Sequence, residues 1–233
     1  MNKDEFISTL KKLDINLTDK QLSDLDTYYK MLIDYNSHTN LTRITEEKEV
    51  YLKHFYDSLT LVKIVNLDNQ SLLDIGTGAG FPGLVLKIVF PDLKVTLVDS
   101  LNKRIIFLNS VIEKLKLENI VAIHARAEEY AKENKEKYDI VTSRAVANLN
   151  MLSELCIPFV KIGGYFIPMK AEAKEQLNTS KKAIETLGGV IKDIIIFNLP
   201  YDKGTRTLIK IEKKVKTNVK FPRKFSEIKK KPL

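Results

Sequence analysis

The chain has 233 residues, 44% of them apolar, enough for one sizeable core with a small appended subdomain. A single cysteine, Cys156, excludes a disulfide framework, and three scattered histidines argue against a structural zinc site. No apolar run approaches the roughly 18 residues that span a bilayer, and MNKDEFISTLKKLD does not read as a signal peptide, so a soluble cytoplasmic protein is expected.

Residues 1 to about 65 read as helices. Phe6, Leu10 and Leu13 share one face, and Leu22, Leu25, Tyr29, Leu32 and Ile33 continue the period. Thr18 and Gln21 form a capping box at the second helix. The polar stretch 36–40 breaks the pattern, and a further helix opens near Thr45-Glu46-Glu47. From residue 71 short β-rich runs alternate with helical patterns: SLLDI (71–75), KVTLVD (94–99), NIVAIH (119–124), YDIVTS (138–143), GGYFIPMK (163–170) and IIIFNL (194–199). This alternation predicts βαβ units and a parallel sheet covered on both faces. Only LPYDKGT separates IIIFNL from RTLIKI (206–211), so the seventh strand is expected to return antiparallel.

Charge is unevenly placed. Residues 203–233 hold twelve Lys or Arg against only Glu212 and Glu227, whereas the chain as a whole carries +8. A nearly neutral body with a basic tail points to a polyanionic partner, the plainer alternative being a solubilising terminus. Two prolines and few apolar anchors in 213–233 predict a segment that is extended or mobile without its partner, and deletion of 217–233 is expected to leave cofactor affinity unchanged while weakening RNA binding. The division expected is a helical subdomain over 1–68, a cofactor-binding domain over 69–212 and a basic tail over 213–233.

The run LLDIGTGAGFPG (72–83) holds four of the nine glycines. Gly76, Gly78 and Gly80 follow the first strand, where open α/β sheets bind ligands beyond the strands' carboxyl ends. Asp99 closes the second strand, the place of a carboxylate that accepts ribose hydroxyls. NAD and S-adenosylmethionine both fit that pattern. Asp74, two residues before Gly76, favours the second, because it can meet the methionine ammonium but would repel a pyrophosphate. None of the nine tyrosines has a lysine four residues on, which a small dehydrogenase would be expected to carry.

These residues, with VDSLNKRIIFLNSV, RAEE (126–129), SRAVANLNMLSEL, YNSHTNLTRI (35–44), HFYDSL (54–59) and FPRKFSEIKKKPL, resemble the ribosomal RNA small subunit methyltransferase G family, also called glucose-inhibited division protein B. The match runs nearly end to end. It implies a class I methyltransferase, an α/β Rossmann-like fold: a mostly parallel seven-stranded sheet whose last strand is antiparallel, plus the helical extension. It also implies transfer of a methyl group from S-adenosylmethionine to guanine N7 in small-subunit ribosomal RNA, with neither metal nor membrane as partner. By position, Gly76 and Phe81 would line the cofactor, Ala127 and Glu128 would flank adenine, and Arg144 would stand beside the transferred methyl. Ala79, where many relatives have proline, and Pro168, within the fifth run, are minor departures; Pro168 suggests a bulge or strand end near Lys170.

Guanine N7 carries a lone pair and no proton, so such chemistry needs alignment and no general base. Arg144 at the end of the fourth strand suits guanine O6 or a phosphate. Asn40 is a candidate for the base edge, with a turn role equally open. Lys103, Arg104, Lys170, Arg206, Arg223 and Lys224 are the candidate RNA contacts, a solvated helix face being as probable for Lys103 and Arg104. Cys156, in LSELCIPFV, reads as a core cysteine rather than a nucleophile, and His54 and His124 read as structural. A methyltransferase with another substrate and a regulator that binds the cofactor without turnover are the rival readings.

Overall fold

In the computed structural model, which describes residues 1–144 and 147–233 (Lys174 by its backbone alone), the seven runs pair into one sheet of order β3-β2-β1-β4-β5-β7-β6. The strands are β1 (Ser71–Ile75), β2 (Lys94–Asp99), β3 (Ile120–His124), β4 (Tyr138–Ser143), β5 (Val160–Lys170), β6 (Gly189–Asn198) and β7 (Thr205–Lys213). β1 to β5 pair in parallel, and β7 lies antiparallel between β5 and β6. β5 and β6 start earlier than their apolar runs. Pro168 sits inside β5 opposite Ser143, and the irregularity falls instead near Tyr138. The strand does end at Lys170.

Because successive strand residues face opposite sides, Leu72 and Leu73 enter different cores, and both faces must be covered. Between the strands run α5 (Gly83–Val89), α6 (Asn102–Leu115), α7 (Ala127–Asn134), α8 (Leu149–Cys156) and α9 (Lys174–Thr186). The N-terminal helices α1 (Lys3–Leu10) and α2 (Asp19–Thr39) belong to the first core. Tyr28, fully buried on α2, donates its hydroxyl to the Ala79 carbonyl at 2.5 Å and packs its ring beside Phe55, Phe81 and Phe107. The helical extension and the glycine loop are thereby one packed body.

After α3 (Glu47–Val50) the backbone runs as a π-helix from Tyr51 to Tyr56, then as α4 (Asp57–Leu59). Such wide turns recur at functional sites. Here the turn carries His54 and leads directly into Asp57, both buried.

The tail beyond β7 departs from expectation, since it is packed rather than extended. Buried Lys213 donates to the Ile157 carbonyl and to Thr217 Oγ1, and Phe221 and Ile228 join the second core. Arg223 forks onto Glu154, whose carboxylate is fully buried on α8, with contacts of 2.8 and 2.5 Å. This seats α10 (Phe225–Lys230) against α8. The sparse anchors suffice because each fills a fully enclosed position, which composition does not weigh. Arg223→Met strands a buried carboxylate, so we expect urea unfolding to show a loss of about 3 kcal/mol. Adding Glu154→Leu should restore most of it. A single mutant as stable as the parent would mean that the pair does not hold the tail.

Candidate active site

Two cavities meet at the carboxyl end of β4. The first, of 330 Å³, opens over β1 and β2. Gly76 lines it and Gly78 follows in the same loop, with φ of +70° and +63°, a conformation costly for side-chain-bearing residues, and nothing lies within 4 Å of a Cβ added at either. Gly83 has the opposite constraint: an added Cβ would stand 2.4 Å from Leu97 and 3.0 Å from Asp74. That absence lets α5 sit low enough for the Gly83 amide to donate to Asp74 Oδ2 at 2.9 Å. Thr77 Oγ1 donates to the same oxygen at 2.7 Å.

Asp74 Oδ1 has no hydrogen-bond partner although it is buried. Burial pushes this carboxyl up to about 6, against the pull of Thr77, the Gly83 amide and Arg144. Asp99 closes β2 and accepts from the amides of Gly78 and Leu101, each at 2.9 Å, and from Arg104 at 3.0 Å. Arg104 therefore lies in the wall of this cavity, where its Nε is buried without a partner, rather than on a solvated helix face. Ala127 and Glu128, at the start of α7, complete the polar side; Leu152, Leu155 and Phe225 form the apolar side. Phe225 belongs to the tail. A truncation there would remove part of this wall, contrary to the expectation that cofactor affinity is indifferent to it.

The residues fit S-adenosylmethionine. An orphaned carboxylate oxygen sits beside the glycine turn, a second carboxylate lies at the ribose position, and an apolar slot offers room for a purine. No pyrophosphate-neutralising group accompanies Asp74 in this loop.

The second cavity, of 430 Å³, lies between the N-terminal helices and the ends of β4, β5 and β7. Arg144, the residue after β4, donates to the Lys53 carbonyl (2.9 Å), to Asp57 Oδ2 (3.2 Å) and to His54 Nδ1 (2.9 Å). Its guanidinium also lies 5.0 Å from the centre of the Phe81 ring. Three of its five N–H groups are thus engaged. Since Arg144 can only donate, His54 carries its proton on Nε2 and gives it to Thr42 Oγ1 at 2.9 Å. Burial and the neighbouring guanidinium lower the imidazole to about 3, so His54 is neutral at every physiological pH. Arg206 reaches the other oxygen of Asp57 at 2.8 Å, and Lys170 gives its ammonium to the Ala147 carbonyl at 2.6 Å.

Of the residues singled out in the sequence, Gly76, Asp99, Arg104, Ala127 and Glu128 converge on the first cavity, with Asp74 and Gly78 in its loop; Arg144, Lys170 and Arg206 converge on the second. Phe81 lines neither cavity. It stacks behind His54, ring centres 4.2 Å apart, as the support of the Arg144 cluster. Asn40, with φ +51°, terminates α2, and Lys103 donates to the Thr39 carbonyl beside it. That is the turn role of the two weighed for Asn40. Arg223 and Lys224 lie apart from both cavities, and Ala145 and Val146 of the SRAVANL run lie outside the described residues. Cys156 is a buried core thiol whose pKa burial raises, as its apolar surroundings imply. Among the described residues no acidic, histidine or cysteine group is clustered to hold a metal, and no helix is long and apolar enough to cross a membrane.

The sequence reading missed Asp57 and underrated His54. Their three-residue spacing in HFYDSL was the available signal. Its meaning depends on Arg144, almost ninety residues away.

Comparison with known proteins agrees with this geometry. A family model described as rRNA small subunit methyltransferase G matches residues 21–203. The Bacillus licheniformis ribosomal RNA small subunit methyltransferase G is 50% identical, over 100% of this chain and 99% of its own. The Staphylococcus carnosus protein of the same name is 49% identical over 97% of each. Among solved structures, M. jannaschii TYW2 in complex with AdoMet superposes with a TM-score of 0.58 at 19% identity, covering 73% of this chain and 79% of that one. A SAM dependent methyltransferase from Aquifex aeolicus gives 0.55 at 15% identity, covering 75% and 97%. The seven-stranded sheet with its penultimate antiparallel edge is the methyltransferase fold, and the chain belongs to the rRNA small subunit methyltransferase G family.

Proposed function

We propose that this protein transfers the methyl group of S-adenosylmethionine to N7 of a guanine in small-subunit ribosomal RNA, in the cytoplasm, by direct in-line displacement. The observation that carries this reading is the locked state of the groups around Arg144. His54 is neutral with both nitrogens engaged, and Asp57 gives one oxygen to each of two arginines. Neither is poised to take a proton from an acceptor, and N7 has none to give. What remains is orientation, which can supply roughly 7–11 kcal/mol.

The cofactor brings a methyl group on a sulfonium, already activated. The chain holds and aims it. Asp74 Oδ1 would receive the methionine ammonium, and Asp99 the ribose hydroxyls, with Arg104 giving way. Leu152, Leu155 and Phe225 would enclose adenine beside Ala127 and Glu128. On the acceptor side, Arg144 retains Nε–H and one Nη2–H to direct at guanine O6 or a phosphate. Residues 69–212 then supply most of the cofactor site, Phe225 of the tail completes its apolar wall, and residues 1–68 act as the far wall of the acceptor pocket.

Replacement of Arg144 by Ala is expected to leave S-adenosylmethionine affinity within about twofold and to slow single-turnover transfer by about 100-fold, through lost orientation. Tritium transfer to small-subunit ribosomal RNA and to isolated small subunits measures it; a rate within twofold of the parent would place the acceptor elsewhere.

With both substrates saturating, the single-turnover rate should stay flat from pH 6 to 9. A limb in that range would report a general base and contradict N7 as acceptor.

Asp74 gives a proton-linkage expectation. Its carboxyl, near 6 without a cofactor, must ionise to meet an ammonium, so its pKa falls on binding. Binding therefore releases up to one proton below pH 6 and almost none at pH 8, and affinity weakens as pH falls through 6. Calorimetry at pH 5.5 in buffers of different ionisation enthalpy should show this release, and Asp74→Asn should abolish it. An equal release in the mutant would reassign the proton.

A further inference from the structure

A further cavity lies outside both halves of the candidate active site. It is a groove of 730 Å³ between α7 and the folded tail. Arg126 and Lys132 rise from the α7 wall, Lys224 and Lys229 from the α10 wall, and among the described residues none of the four forms an ion pair. Two further lining cations are committed elsewhere: Arg223 grips Glu154, and Lys135 donates to the Val219 carbonyl at 2.9 Å. Glu128 and Glu129 also stand on the α7 wall, where Arg126, Lys132 and Lys135 outnumber them by one, and no acid among the described lining residues stands on the α10 wall.

Opposed rows of free cations suit one negatively charged strand lying lengthwise between them, each wall meeting phosphates from its own side. The groove also leads somewhere. Arg126, Glu128 and Phe225 line both it and the cofactor cavity, so a strand in the groove arrives at the side of that cavity proposed above to hold adenine. An acidic protein surface would not need that continuity. We infer that this groove docks the sugar-phosphate backbone of a single strand of the substrate RNA, steering the flanking nucleotides while Arg144 receives the acceptor. The inference rests on RNA being the substrate, as proposed above.

The test compares the full-length protein with K132E/K229E and with the control K94E/K116E, which reverses two exposed charges remote from the groove. The probe is a fluorescent fragment of small-subunit ribosomal RNA, titrated from 50 to 300 mM salt alongside S-adenosylmethionine binding and melting temperature. The groove variant should lose at least tenfold in RNA affinity at ~100 mM salt. Its slope of log affinity against log salt should fall by about 1.4, two contacts at ~0.7 each. Cofactor affinity and melting temperature should be unchanged, and the control should behave like the parent. If K132E/K229E unfolds, K132Q/K229Q, with half the charge change, is expected to move affinity and slope in the same direction by about half. Unchanged affinity and slope, or an equal loss in the control, would overturn the groove assignment. So would retained RNA binding with selective loss of poly-glutamate binding. Failure of the parent to methylate RNA at all would instead overturn the proposed function, so the two failures are distinguishable.

Discussion

The carboxylate of Asp57 joins three parts of the chain that sequence keeps far apart. It lies at the exit of the π-helical turn, accepts Arg144 from the end of β4, and accepts Arg206 from β7. Taking one acid and two guanidinium groups out of water is expensive, and the attraction between them repays that only when every group is hydrogen-bonded. The surroundings meet this demand: the Lys53 carbonyl and His54 Nδ1 take further protons of Arg144, and Thr42 fixes the imidazole behind them. Removing Asp57 would leave two cations facing each other across a half-enclosed pocket. The N-terminal helices therefore line the same cavity as Arg144 and fix the direction of its guanidinium.

A second constraint holds the cofactor side. Asp74 is fully buried, and its position depends on how closely α5 approaches β1, which Gly83 alone makes possible. One oxygen is satisfied by Thr77 and the Gly83 amide while the other has no partner. An unpartnered buried carboxylate is costly in a protein that binds nothing there. The ammonium contact proposed above would supply the missing partner. The two cavities meet at the end of β4, where Ser143 lines one and Arg144, the next residue, the other, so a single strand end sets the distance between them.

The folded tail joins the basic groove to the cavity over β1 and β2. Arg223 and Phe221 fasten it to the second core, and that fastening places Phe225 in the apolar wall of the cavity while leaving Lys224 and Lys229 in the groove. The basic residues of the tail thus divide into two groups. Some are structural, with Lys213 fully enclosed and Arg223 paired; others face solvent and are free for a polyanion.

Much of this was legible from residue order alone. Strand positions, the antiparallel return of β7 and the glycine turn follow from short-range patterns, because alternation, helical period and glycine content act within a few residues of each other. The strand-end positions of Asp74 and Asp99 were legible for the same reason, whereas Ala127 and Glu128 were singled out only through the family resemblance. The roles of His54, Asp57 and Phe81 were not. They arise from contacts with Arg144 across about ninety residues for the first two, and across the glycine loop for the third, and no local pattern encodes such partners. The tail misled for a related reason: high charge with few apolar residues reads as mobile, while burial of Phe221, Ile228 and Glu154 depends on a surface that exists only once α8 and the sheet have formed. Residue order determined the scaffold and the cofactor loop, where each interaction is nearly local; tertiary structure decided the acceptor pocket and the fate of the tail, where the stabilising partners lie far along the chain.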